Sequence, residues 1–167
     1  MTKGVNMDPI QILLDDHARI LARLAPLRIA VHQIAERGRA ALPDVLPVVR
    51  DVVPAVAVHL AAHSRREDEA FFPVVEAACG GHFGPTDVMR GEHEAMDETI
   101  ERLQAMLADA EPHWGVNDLG DWCGRLIHLI DAHFGKEESV VFPMARQALT
   151  EDALRQIGEA LDAARLS

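Results

Sequence analysis

HSRREDEAFFP at residues 63–73 returns as HFGKEESVVFP at residues 133–143, 70 positions further along the chain. Both copies place a glutamate four residues and a proline ten residues after a histidine. The same offset lays Val56 on Leu126, Leu60 on Ile130 and Phe72 on Phe142. A second offset, of 76 residues, lays Leu13 on Met89, His17 on His93, Ile20 on Met96, Leu24 on Ile100 and Leu27 on Leu103. The chain thus repeats itself, and each half preserves one lone histidine and one His-x-x-x-Glu.

The segments around these histidines carry helical seams. Ile10, His17, Leu24 and Val31 form one row seven residues apart, and Leu13, Ile20, Leu27 and Ile34 a second. Two such rows make the inward stripe of a bundle helix. Asp8 is its N-cap, Pro9 lies just inside, and Gly38 stops it. Pro26 predicts a kink, at a cost of up to about 3 kcal/mol if unrelieved. A second helix is expected over about 44–78, ending at Gly80-Gly81, with Pro47 and Pro54 in its first half. Residues 80–85 read as a loop. A third helix covers about 86–110, with Met89, Met96 and Leu103 beside His93, Ile100 and Leu107 on its seam. Pro112 and Gly115 mark the next break, a fourth helix covers about 117–149, and Thr150 caps a short last one. Nothing reads as a strand. The expected architecture is a single all-α domain over 1–167: an antiparallel up-down-up-down four-helix bundle at about 8–149, then a C-terminal helix at about 151–165. Its two helical hairpins would be related by a pseudo-two-fold axis.

Composition agrees with one globular domain of 167 residues. Lys plus Arg is 16 against 27 Asp plus Glu, a net charge of −11, which argues against nucleic acid or an anionic membrane as a partner. The longest near-apolar stretch, 52–62, contains Pro54 and His59 and is too short to cross a bilayer. The first residues lack the apolar core of a signal peptide. Cys79 and Cys123 make no disulfide framework, so a cytoplasmic location is expected. The chain has no tyrosine, which excludes a tyrosine ligand or tyrosyl radical.

Four residues advance a helix by slightly more than one turn, about 6 Å, so the His and Glu of each His-x-x-x-Glu share a face. Both can reach one metal ion, and a carboxylate can bridge two. Four histidines and two glutamates on inward positions therefore describe a dinuclear site on the bundle axis. Any one of these histidines alone would be read as a satisfied core residue. Burying all six groups without partners would cost several kcal/mol each, against a net domain stability of about 5–15 kcal/mol. Imidazole mixed with carboxylate suits iron, zinc or manganese, and six or seven ligands around two centres favour iron. Ferritin-like sites use Glu-x-x-His, and here no glutamate stands three residues before a histidine.

Asp16-His17, residues 63–73, Glu92-His93 and residues 133–143 together resemble the haemerythrin-like (HHE cation-binding) family. The resemblance implies a bundle holding two non-haem iron ions, oxo- or hydroxo-bridged. It implies His17 and His63 on one iron, His93 and His133 on the other, and Glu67 and Glu137 bridging them. Oxygen-carrying members of that family have a further histidine four residues after the first on helix 3, where this chain has Asp97.

A substitute for that ligand follows from helix direction. One turn on from His93 is Asp97, and one turn back from His63 is His59; in antiparallel helices both steps lead to the same layer. Two arrangements answer to this: His59 as a fifth histidine ligand oriented by Asp97, or a buried His59–Asp97 pair without metal contact. Asp16 and Glu92, each just before a ligand histidine, are read as surface charges in preference to supports of the site. The charged run 64–69 apart from Glu67, and Lys136 and Glu138, are read as solvated faces. His32, His82, His113 and His128 have no repeat partner and no assigned role. Phe71, Phe72 and Phe142 are expected to line the core and keep the site dry.

Three functions follow. The first is binding of dioxygen or a related diatomic or peroxide ligand for storage, delivery or sensing. The second is an enzyme handling peroxide or nitric oxide, or an iron donor for repair of damaged iron centres. The third is a regulatory role through a separate partner. The last helix is the expected exception to a surface without apolar faces, and offers a homodimer contact.

Overall fold

Asp8 opens the first helix as expected: its side chain accepts a hydrogen bond from the Ile10 N–H at 3.0 Å, with Pro9 in the first turn. The computed structural model describes residues 8–81, 84–109 and 113–163. Among them the ordered elements are all helical. Helix α1 is Pro9–Arg37, followed by a 3₁₀ turn Gly38–Ala41 and α2 Leu42–Arg66. A π turn Glu67–Phe71 joins α2 to α3 Phe72–Ala78, and α4 is Gly84–Ala108. Helix α5 Val116–Lys136 leads through a second π turn, Glu137–Val141, into α6 Phe142–Ala148, and α7 is Glu151–Ala163. His82 and residues 164–165 of the expected last helix lie outside the described residues.

Gly38 ends α1 at φ +54°, a conformation that favours glycine, and its N–H bonds the Ile34 carbonyl. Helix α1 continues through Pro26. Pro26 and Ala22 are both exposed, so the carbonyl that proline leaves without a partner can turn to water. Pro47 and Pro54 are tolerated on the exposed side of α2 in the same way. That helix starts at Leu42, two residues ahead of the expected 44, because Pro43 is favourable in a first turn.

Helix α1 packs on α2 and α5, and α4 packs on α5 and α2, which closes a helical bundle. Its interior holds two apolar clusters. One gathers Ile20, Leu24, Leu27, Leu60, Met96, Leu103, Leu126 and Ile130; the other gathers Leu13, Phe71, Phe72, Met89, Val141 and Phe142. Along α1 and α4, and along α2 and α5 continued through the π turns that follow them, the repeated histidine falls between residues of the two clusters. A buried polar layer thus divides the core. Thr150 Oγ1 accepts the Ala153 N–H at 3.2 Å and caps α7. The apolar face of α7, with Ile157 and Leu161 buried, lies against α1 and the first π turn. By length and composition, an 18-residue window in the helical run Pro9–Ala78 is apolar enough to cross a membrane, beyond what the 52–62 stretch alone allowed. In this run Val49, Val52, Val53, Val56 and Leu60 face the bundle core.

Candidate metal centre

His63 and His133 stand on the last turns of α2 and α5, each followed one turn later by its glutamate at the start of a π turn. In both π turns the backbone reaches back five residues: the Phe72 N–H bonds the Glu67 carbonyl, and the Phe142 N–H bonds the Glu137 carbonyl. Pro73 and Pro143 follow at once, and neither has an N–H with which to continue the α-helical ladder. The wider turn turns both Glu67 and Phe71 inward on one copy, and both Glu137 and Val141 on the other. The uniform helices expected across 44–78 and 117–149 are thus interrupted at the same place in each half.

All six repeated residues are at most 5% exposed. They form two groups, His17, His63, Glu67, Glu137 and Glu67, His93, His133, Glu137, in each of which one ligand atom per residue lies within 4.8 Å of the others. Glu67 Oε2 is 3.3 Å from His63 Nε2 and 3.3 Å from His93 Nε2. Glu137 Oε2 is 3.1 Å from His17 Nε2 and 4.0 Å from His63 Nε2, and its Oε1 is 3.4 Å from His133 Nε2. Both glutamates therefore belong to both groups. All four of their carboxylate oxygens, with His17 Nε2 and His63 Nε2, are buried without a hydrogen-bond partner. Orphaned acceptors at this density are costly unless a cation joins them. The donor set fits two metal ions of the iron, zinc or manganese kind.

On the far side of each ring, Nδ1 faces a carboxylate. Asp16 Oδ2 is 3.6 Å from His63 Nδ1, and Asp68 Oδ2 is 3.2 Å from His93 Nδ1. Glu92 Oε2 is 3.0 Å from His133 Nδ1, and Glu138 Oε1 is 2.8 Å from His17 Nδ1. The contacts to His17, His93 and His133 are within hydrogen-bond reach, fix the tautomer and aim Nε2 at the centre; Asp16 acts on His63 as a neighbouring charge, since His63 Nδ1 makes no hydrogen bond. The four contacts make a closed circuit, each segment's acid supporting the histidine of the next. Asp16 is paired in turn with Arg66, and Glu92 with Lys136. This corrects the reading of Asp16 and Glu92 as surface charges; Asp68 and Glu138 stay partly exposed, as read, and in addition reach a histidine of the site. Asp16 is only 4% exposed. Phe134, not anticipated as part of the site, stacks on the His17 ring at 3.8 Å and 8°. Phe72 lies parallel to His93 at 6.0 Å and Phe142 to His17 at 5.6 Å, so the aromatic lining expected of Phe71, Phe72 and Phe142 is present.

The charges agree with a cation site. Burial raises Glu67, and burial with Glu67 alongside pushes Glu137 up to about 8. Burial alone would lower His93, but Asp68 and Glu67 hold it at about 10. Burial and the neighbouring His93 hold His133 down at about 2. Burial opposes ionisation of Asp16, but His63, Arg66 and Arg19 outweigh it and keep its carboxyl below the ordinary range. Without metal, Glu67, Glu137 and His93 hold protons more tightly than usual, where cations would otherwise sit.

His59 and Asp97 are not brought into either group. His59 is half-buried with Nδ1 2.7 Å from the Ala55 carbonyl of its own helix. Asp97 is exposed, so the two make no buried pair; burial of part of its carboxyl still raises it. Both flank the seam one turn from the site, and the His59 ring turns back along its own helix. His32, His113 and His128 are exposed. Cys79 is exposed and Cys123 buried, where desolvation pushes its thiol up to about 12.

The profile of the hemerythrin HHE cation-binding domain matches residues 8–163. The iron-sulfur cluster repair protein YtfE of Escherichia coli O157:H7 is 27% identical over 146 residues, covering 80% of this chain and 63% of that protein. This chain thus spans less than two thirds of that relative's length. No solved structure matches it significantly. With its match spanning nearly the whole bundle, the chain belongs to the hemerythrin HHE cation-binding domain family.

Proposed function

We propose that this chain is a non-haem di-iron protein serving the repair of iron centres, by handling nitric oxide or peroxide or by supplying iron. One iron would lie between His17 and His63 and the other between His93 and His133, with Glu67 and Glu137 shared. The bundle would run up-down-up-down with its hairpins related by a pseudo-two-fold axis. The order in which each long helix passes the two apolar clusters supports that topology.

One observation carries the proposal: two four-donor groups share the same two buried glutamates, and among the described residues neither His59 nor Asp97 adds a donor. Each ion would then have two imidazoles and two shared carboxylates, short of the six ligands iron commonly takes. When bound, the ions would supply redox chemistry and open positions for a small ligand. The protein's own part is to aim four Nε2 atoms through the Asp16, Asp68, Glu92 and Glu138 contacts, and to exclude water with Phe72, Phe134 and Phe142. Open coordination favours reaction and metal exchange over storage, and the repair protein among the relatives supports that direction. Reversible dioxygen binding is a second reading, favoured by the dry aromatic lining. A net charge of −11 directs both readings away from nucleic acid and anionic membranes.

Metal-free protein loaded anaerobically with ferrous iron is expected to retain two ions per chain. It should then react irreversibly with nitric oxide or peroxide, or yield its iron to a chelating acceptor. A spectrum that appears in air and reverses under vacuum would establish the dioxygen reading instead. Failure to retain iron would overturn both.

A further inference from the structure

The two halves of the site differ in what covers them. One turn before His17 on α1 is Leu13, and one turn before His93 on α4 is Met89. One turn beyond Glu67 is Phe71, and one turn beyond Glu137 is Val141. These four residues occupy matching places and all are buried in the same apolar cluster. Over Leu13 and Phe71, α7 lies against α1 and the first π turn and adds Ile157 and Leu161 to that cluster. Over Met89 and Val141 the surface instead holds a depression of about 140 Å³ lined by Pro85, Val88, Met89, Lys136, Val140 and Val141. Its rim is open: Val88 is 53% and Val140 43% exposed, while Met89 and Val141 on its floor are 2% and 1% exposed.

We infer that this depression is the entry port for a small uncharged diatomic ligand, with Met89 and Val141 as the gate to the layer holding His93 and Glu137. The inference rests on the di-iron reading above. Five of the six lining side chains are apolar, and the sixth, Lys136, is tied to Glu92. Such a surface offers nothing to an anion or a polar substrate but admits nitric oxide or dioxygen without desolvation cost. Met89 is unbranched and can swing aside at little cost, whereas the matching Leu13 is branched and shares its cluster with Ile157 and Leu161 of α7. The sequence repeat would allow two entries, and α7 leaves one.

Val140→Trp and Val88→Trp fill the depression from its exposed rim and spare every proposed ligand. In iron-loaded protein each is expected to slow the association of nitric oxide roughly tenfold with the iron content unchanged, as a port requires. Ile29→Trp, on an exposed site of α1 outside the depression, should leave that rate unchanged. Unchanged rates in Val140→Trp and Val88→Trp with two irons retained would overturn the port and leave the di-iron reading standing. Iron content, measured separately, tests that reading. Xenon-pressurised crystals of the metal-free protein test the port without iron: xenon between Met89 and Val141 is expected, and its absence there would overturn the port.

Discussion

Asp16 adjoins His17 in sequence but supports His63 across the helix interface, and it is held there by Arg66. Replacing it with asparagine keeps the shape and removes the negative charge that faces His63 Nδ1. Asp16→Asn is expected to weaken iron binding on the order of 10- to 100-fold, the usual effect of losing such a partner. Glu92→Gln should do the same through His133. Competition with a chelator measures both, and circular dichroism checks that the fold persists. His59→Ala and Asp97→Asn should leave iron affinity unaltered, since neither side chain reaches the site. These supporting acids were legible in principle: Asp16 matches Glu92 at the 76-residue offset, and Asp68 matches Glu138 at the 70-residue offset. They read as solvent-facing because a helix rotates about 100° per residue, so the neighbour of an inward histidine points to the flank. In a bundle the flank is where the next helix arrives, and only packing shows which histidine waits there.

Periodicity recovers helices better than it recovers their internal pitch. The start of α1 at Asp8, its stop at Gly38 and the cap at Thr150 follow from local chemistry and stand as expected. The π turns do not, because a 3.6-residue rule applied across residues 44–78 assumes one unbroken pitch. Pro73 and Pro143 were the available signal, since each forces the backbone before it to find other partners. Close helix contact is similarly hidden. A Cβ at Gly120 of α5 would sit 2.9 Å from Ile34 Cγ2 on α1, whereas at Gly91 and Gly124 it would meet nothing within 4 Å. Gly91→Ala and Gly124→Ala should each stabilise the fold by up to about 1 kcal/mol through helix propensity. Gly120→Ala gains the same propensity but must displace a β-branched, buried side chain, at about 1–3 kcal/mol. Thermal unfolding of the metal-free protein should therefore rank Gly120→Ala below the other two. Equal melting temperatures would mean that α1 and α5 are further apart than this contact requires.

At the scale of the molecule, the repeat makes the six central residues legible in the sequence, because two offsets align their types and spacing independently of fold. The covering of one half by α7 has no counterpart in the repeat and needed the structure. A polar layer between two apolar clusters also ties stability to protons, with a sign that depends on whether metal is present. Without metal, Glu137 titrates at about 8 in the folded chain against an ordinary 4.5. Between those values the folded chain holds a proton that the unfolded chain has released, so stability falls as pH rises. His93, at about 10 against 6.5, contributes stability that is full below pH 6.5 and is lost as pH climbs toward 10. His133, at about 2 against 6.5, works the other way, but only below pH 6.5, where the unfolded chain takes up a proton that the folded chain refuses. Below pH 6.5 His133 therefore offsets Glu137, and above it Glu137 and His93 act together. The metal-free protein should lose stability from pH 6.5 upward, by about 1.4 kcal/mol per pH unit for each proton involved. With iron bound, the imidazoles and carboxylates must all be deprotonated, so binding releases protons and strengthens as pH rises. Calorimetric melting of both forms at pH 6.5 and about pH 8.5 should show opposite slopes. Parallel slopes would mean that the metal does not sit on these histidines and glutamates.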